Sequence, residues 1–151
     1  MRITGSVATR VNVCVESVDA RTGEVLARRW KHNLVVAAGL NILRDLIYGD
    51  GTTLTHGAVG TDNTAAAAGD VALGSEAFRD VISQRTKGEG GLTLKFVVGS
   101  QSANGLTLRE AGLFNAASGG SLYARVIPEA VEKTDAILVI YTWGITFEAA
   151  A

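Results

Sequence analysis

Between residues 7 and 17, Val7, Thr9, Val11, Val13 and Val15 alternate with Ala8, Arg10, Asn12, Cys14 and Glu16. A period of two puts successive side chains on opposite faces and predicts a half-buried strand. Asp19 to Gly23 then supplies a turn-forming acid and a glycine able to take positive φ, after which Leu26, Arg28, Trp30, His32 and Leu34 share one parity. The two runs predict an N-terminal hairpin over residues 7–35. The period changes next: Val36, Leu40, Leu43, Leu46 and Ile47 fall at helical spacing, with Gly49 placed to cap the end and Asn33 to cap or precede the start. One α-helix is predicted, at about residues 35–48. Gly39 inside it costs about 1 kcal/mol relative to alanine, so the helix either packs closely on a sheet there or begins later.

Residues 49–74 are rich in glycine, threonine and alanine, with a short apolar Ala58-Val59-Gly60 and no large side chain from there to Val71. This reads as a mobile loop. From residue 76 to 148 strand chemistry returns. Phe78, Val81 and Ile82 precede a turn at Lys87 to Gly91, and Leu92, Leu94, Phe96 and Val98 alternate beyond it. Asn104-Gly105 predicts a hairpin turn of type I′. Leu122 to Ile127 is a further strand, and Ile137 to Phe147 is apolar on both faces in its first half, which predicts a central strand or an edge covered by a partner. The fold class predicted is mainly β: an antiparallel β-sandwich or barrel-like domain with one helix, spanning residues 1–151 as a single domain.

Composition narrows the function. Fourteen basic and fifteen acidic residues give a net charge of −1, so no global field favours nucleic acid. The lone Cys14 excludes an intramolecular disulfide and a cysteine-built zinc site, and reads as a small buried hydrophobe. Neither a secretion-signal run nor a membrane span is read, so synthesis in a reducing cytoplasm as a soluble chain is expected.

No constellation predicts catalysis. His32 reads as a strand-face residue and His56 as a solvated loop position. Asp50, Asp62, Asn63 and Asp70 are oxygen donors in glycine-rich loops, without the spacing of a calcium loop. Neither a serine-hydrolase elbow nor a phosphate-binding loop occurs. Arg28, Arg29, Lys31, Arg79, Arg85 and Lys87 read as a solvated surface. Trp30 and Trp143 both lie at apolar-parity positions and are expected in the core, whereas a carbohydrate-binding or hydrolytic module needs exposed aromatics. No cofactor, metal or catalytic residue is expected. Glu110, which precedes the backbone-permissive Gly112, is placed to accept hydrogen bonds from a turn while Leu113 and Phe114 enter the core.

The succession His56 to Gly60, Asp70-Val-Ala-Leu73 with Glu76 and Arg79, Leu108 to Phe114, Gly120-Ser-Leu-Tyr-Ala-Arg125 and Lys133 resembles tail-fibre and tail-collar-type structural proteins of tailed bacteriophages. The resemblance covers roughly residues 33–148, with Glu110, Gly112, Leu113, Phe114, Gly120 and Leu122 as its signature. It departs where Thr61-Asp62-Asn63 replaces a second glycine after Gly60, and no fibre shaft or receptor-binding tip follows before Ala151. What it implies is a non-enzymatic virion protein, a short stand-alone attachment domain. It would self-associate, as a trimer, and join other phage structural proteins as a tail, neck or baseplate component. A capsid decoration protein is the alternative, and a small carbohydrate-binding module a lower one. Neither nucleic acid nor membrane is an expected partner. The expected subunit or particle contacts are Thr61, Asp62, Asn63, Thr64, Ala65 and Ala66, where small side chains allow close backbone approach. Deleting residues 61–69 is expected to weaken assembly and leave the domain folded.

Overall fold

The computed structural model describes residues 6–150 and is mainly β with one helix. β1 (Ser6–Asp19) and β2 (Val25–Val35) pair antiparallel across a turn in which Asp19 Oδ1 accepts the N–H groups of Arg21 and Thr22. The helix α1 (Ala37–Tyr48) follows, then β3 (His56–Gly60), β4 (Glu76–Val81), β5 (Gln84–Gly88) and β6 (Gly91–Val98). The chain ends with β7 (Thr107–Leu108), β8 (Glu110–Phe114), β9 (Leu122–Val126), β10 (Val131–Glu132) and β11 (Ile137–Ala150). Nine strands form one antiparallel sheet in the order β4-β3-β8-β9-β2-β1-β11-β6-β5, curled into a half-barrel, while β7 pairs with β10 alone. Among the described residues no helix is long and apolar enough to cross a membrane.

β2 is where the sheet turns. From Val25 to Asn33 it pairs with β1, and its last two residues, Leu34 and Val35, pair with β9. The curl brings the inner faces of β1, β6 and β11 against those of β3, β8 and β9, and Val13, Phe96, Trp143, Val59 and Leu113 are all fully buried between them. Aromatic rings bridge the two ends of the sheet. Phe78 of the edge strand β4 stacks on Phe96 at 6.1 Å, Phe96 meets Tyr141 at 6.0 Å, and Tyr141 stacks on Trp143 at 5.8 Å. β11 is central, between β1 and β6, with Val139, Tyr141, Trp143 and Ile145 buried on its inner face and Leu138 and Ile140 half-buried on the outer one.

Several sequence expectations change. Within the segment read as a loop, residues 56–60 form β3, hydrogen-bonded on both sides and buried from Gly57 to Gly60. The signal was hidden because small residues are required: a Cβ at Gly57 would overlap the Phe96 ring, and one at Gly60 would overlap the Glu110 carboxylate. Asn104-Gly105 does not join two paired strands. Positive φ falls at Ala103 and Gly105, and the turn is fastened elsewhere, since Gly105 N–H donates to the Lys133 carbonyl and Asn104 Nδ2 to that of Ser100. Asn33 does not cap the helix; it points inward at 2% exposure, and the N-cap position is Val36, without a side-chain cap.

The helix begins at Ala37 and also packs closely at Gly39, so both alternatives hold. A Cβ there would overlap the Tyr123 carbonyl, which accepts the Val36 N–H. Gly39→Ala is therefore expected to destabilise by about 1–3 kcal/mol, overriding alanine's advantage of about 1 kcal/mol inside a helix. A melting temperature above wild type would overturn this packing argument. Gly49 ends the helix in the left-handed region at φ 105°.

Burial also sets an alkaline limit. Tyr123 and Tyr141 are both 1% exposed, and burial pushes the Tyr123 phenol from 10.0 up to about 12 and raises that of Tyr141 as well. An unfolded chain releases these protons near the ordinary value, so their contribution is complete below pH 10.0 and is lost as pH rises further, that of Tyr123 through about 12. Tyrosinate absorbance from these two rings should therefore appear together with loss of the β-sheet signal in circular dichroism. Full ionisation of both with the sheet intact would contradict it.

Candidate functional site

The residues of the resemblance converge on one buried charge cluster. Glu110 opens β8 at 0% exposure because β3 and β9 flank it. Its carboxylate accepts the N–H groups of Ser75 at 2.7 Å, Gly74 at 2.8 Å and Asp62 at 3.4 Å, and Arg125 Nε at 3.0 Å. Arg125, 3% exposed on β9, also donates to Asp70 Oδ2 at 3.0 Å, Asp62 Oδ2 at 3.1 Å and the Ala65 carbonyl at 3.4 Å. Burial works against its charge, but the hydrogen bonds to Glu110 and Asp70 outweigh that and hold its pKa above the ordinary value. One guanidinium and one carboxylate thus tie both ends of the 61–75 segment to the sheet. Leu73, buried against Phe114 and Leu122, adds the apolar anchor.

Two further polar fasteners hold other turns. The Arg79 guanidinium lies 3.7 Å from the centre of the Phe114 ring and donates to the Ala116 and Gly119 carbonyls, clasping the β8–β9 turn. Glu76 holds its other side at 2.6 Å. Arg79 is therefore not part of a solvated surface, since its side chain is 8% exposed. Lys133, at 1% exposure, donates to Asn104 Oδ1 and the Thr134 carbonyl, each at 2.8 Å, and burial lowers its pKa. Every charge here is taken up by a protein partner, so the arrangement can hold loops in place.

Of the sequence-predicted residues, Glu110, Gly112, Leu113, Phe114 and Leu122 are buried together, and Gly120 forms the exposed turn at φ 70°. The expected contact residues divide. Asn63, Thr64 and Ala65 are exposed, whereas Thr61, Asp62 and Ala66 are half-buried and Asp62 is bound to Arg125. Ala68 further accepts the Ala37 N–H at the start of α1. Deletion of 61–69 would thus remove partners of Arg125, Glu110 and the helix, and is now expected to destabilise the domain as well.

Arg125 is the residue that sequence reasoning missed as a centre. The signal was present: a carboxylate destined for the core requires a buried cation, and Arg125 sits in the apolar run Leu122 to Ile127. Trp30 is corrected also. It is 70% exposed, on the outer face of the sheet opposite Cys14, while Trp143 is 0% exposed. His56 lies on β3, its Nδ1 2.7 Å from Thr55 Oγ1, and His32 lies on β2, 3.3 Å from Asn12 Oδ1. Cys14 is buried, and desolvation pushes its thiol up. Comparison with protein-family models, with curated proteins and with solved structures found no match.

Proposed function

We propose that this chain is a non-enzymatic structural protein of a phage-type particle, which self-associates and attaches as a tail, neck or baseplate component. One observation carries the reading. Asp70, Leu73, Glu76, Arg79, Glu110, Phe114 and Arg125, which follow one another in the order of the tail-protein resemblance, interlock as one fastening of loop to sheet. A scaffold that spends its buried charges on holding surface loops suits a protein whose work is to present those loops to neighbours. The test is localisation in particles released by cells that carry the gene. A few copies at one vertex, seen by cryo-microscopy and counted by mass spectrometry, support a tail or neck role. Hundreds of copies over the head support decoration instead. Particles that contain none overturn both.

The exposed Trp30 favours a second reading, a sugar-binding module, since an aromatic face stacks on sugar rings. Binding of the protein to a glycan array that is abolished by Trp30→Ala would establish it. Equal signals for both proteins would remove it.

A further inference from the structure

The largest exposed apolar side chains of the described residues include four on one helix: Leu40 at 54%, Leu46 at 40%, Ile47 at 87% and Tyr48 at 82%. Leu40, Leu43 and Ile47 follow the i, i+3, i+7 spacing of one stripe, and Leu46 borders it, three residues beyond Leu43. Beside Leu43 and Leu46 a cavity of about 170 Å³ opens between α1 and the ends of β6 and β11, floored by Leu94, Tyr123 and Ile145. That is the scale of a space that takes a single apolar ring or branched side chain, given that a cavity of about 150 Å³ accepts benzene. Protrusion and hollow therefore lie next to each other on one patch, the condition for a surface to be complementary to itself across a two-fold axis.

We propose that α1 is an isologous docking face whose occupant is α1 of a second copy, packed antiparallel. This rests on the self-association reading above and names the surface for it, with two-fold symmetry in place of the trimer that the resemblance implies. A two-fold axis at Leu43 sets Leu40 of each opposite Leu46 of the other, at the mouth of the cavity, and lays Ile47 on the opposing first turn. Charge favours the same arrangement. α1 has no acidic residue in its first turn, no basic residue in its last and no side-chain N-cap. Asp50, exposed just past the C-terminus, comes beside the partner's first helical turn, which carries no acidic side chain of its own, and each helix end meets its electrical opposite.

Sedimentation over a concentration series tests this with Ile47→Glu and Leu40→Glu, and with Asn63→Glu in the 61–66 segment as comparison. Both leucine and isoleucine sites are exposed enough for a charge to leave the fold intact, which melting curves check. The expected result is a wild-type dimer, a dissociation constant raised at least about 10-fold by either helix variant, and no change for Asn63→Glu. A wild-type oligomer unaffected by the helix variants, or lost with Asn63→Glu alone, overturns the surface and leaves self-association standing. A three-fold stoichiometry overturns the two-fold pairing, and a wild-type monomer at all concentrations overturns self-association itself.

Discussion

Glu110→Ala is expected to lower the unfolding free energy by about 3–5 kcal/mol, the range for breaking a buried ion pair by removing one partner. The truncation leaves three backbone N–H groups without an acceptor and takes from Arg125 its most buried counter-charge. Asp62 and Asp70 still face the guanidinium, so Arg125 is not stranded, and this keeps the loss within that range. Glu110→Gln should cost less, about 1–3 kcal/mol, because the side chain keeps its shape and one acceptor oxygen. Urea titration reads both as shifts in midpoint at constant slope. Hydrogen exchange gives the local signature: the Gly74 and Ser75 amides should lose protection first. An alanine variant within about 0.5 kcal/mol of wild type would mean that the cluster does not hold the segment.

Trp143→Ala should be of similar size, about 3–5 kcal/mol, through the cavity left in a core that cannot collapse around it. The indole is fully buried at the end of the ring series that spans β4, β6 and β11. Trp143→Phe is the informative companion. The Trp143 Nε1 has no hydrogen-bond partner among the described residues, so phenylalanine strands no acceptor there and costs only the lost volume. Trp30→Ala, at an exposed position, should lie within about 0.5 kcal/mol of wild type. Fluorescence separates the two indoles, since acrylamide should quench Trp30 and spare Trp143 in the folded protein. Equal stability of Trp143→Ala and Trp30→Ala would contradict the assigned burial.

Legibility followed chemistry that is local in the chain. β1, β6 and β11 could be read because large apolar residues recur at period two, and α1 because the period changes to helical. β3 could not, since its residues are small to make room for Phe96 and Glu110, contacts supplied by strands far along the chain. Trp30 shows the limit of parity: period two says which residues share a face, not which face is inside. On β2 the inner parity is Arg29, Lys31 and Asn33, opposite Val15, Val13 and Val11, so the apolar parity points outward. Glu110 could be read as a turn fastener because a carboxylate beside core residues needs donors nearby. Its dependence on Arg125, Asp62 and Asp70 could not, because those partners come from another strand and from a segment with no regular period.

The pairing of β1 with β11 has a kinetic meaning. It runs from Ser6 opposite Ala150 to Asp19 opposite Ile137, so the middle of the sheet is assembled from the first and last strands described. Contacts between such distant residues cannot reward the chain until nearly all of it has been drawn together, and topologies of this kind fold in milliseconds to seconds rather than microseconds. During synthesis the β1–β2 hairpin must wait with one edge open until β11 leaves the ribosome. Val11, Val13 and Val15 stay uncovered over that interval, which makes this hairpin the part of the nascent chain most exposed to mispairing with another copy.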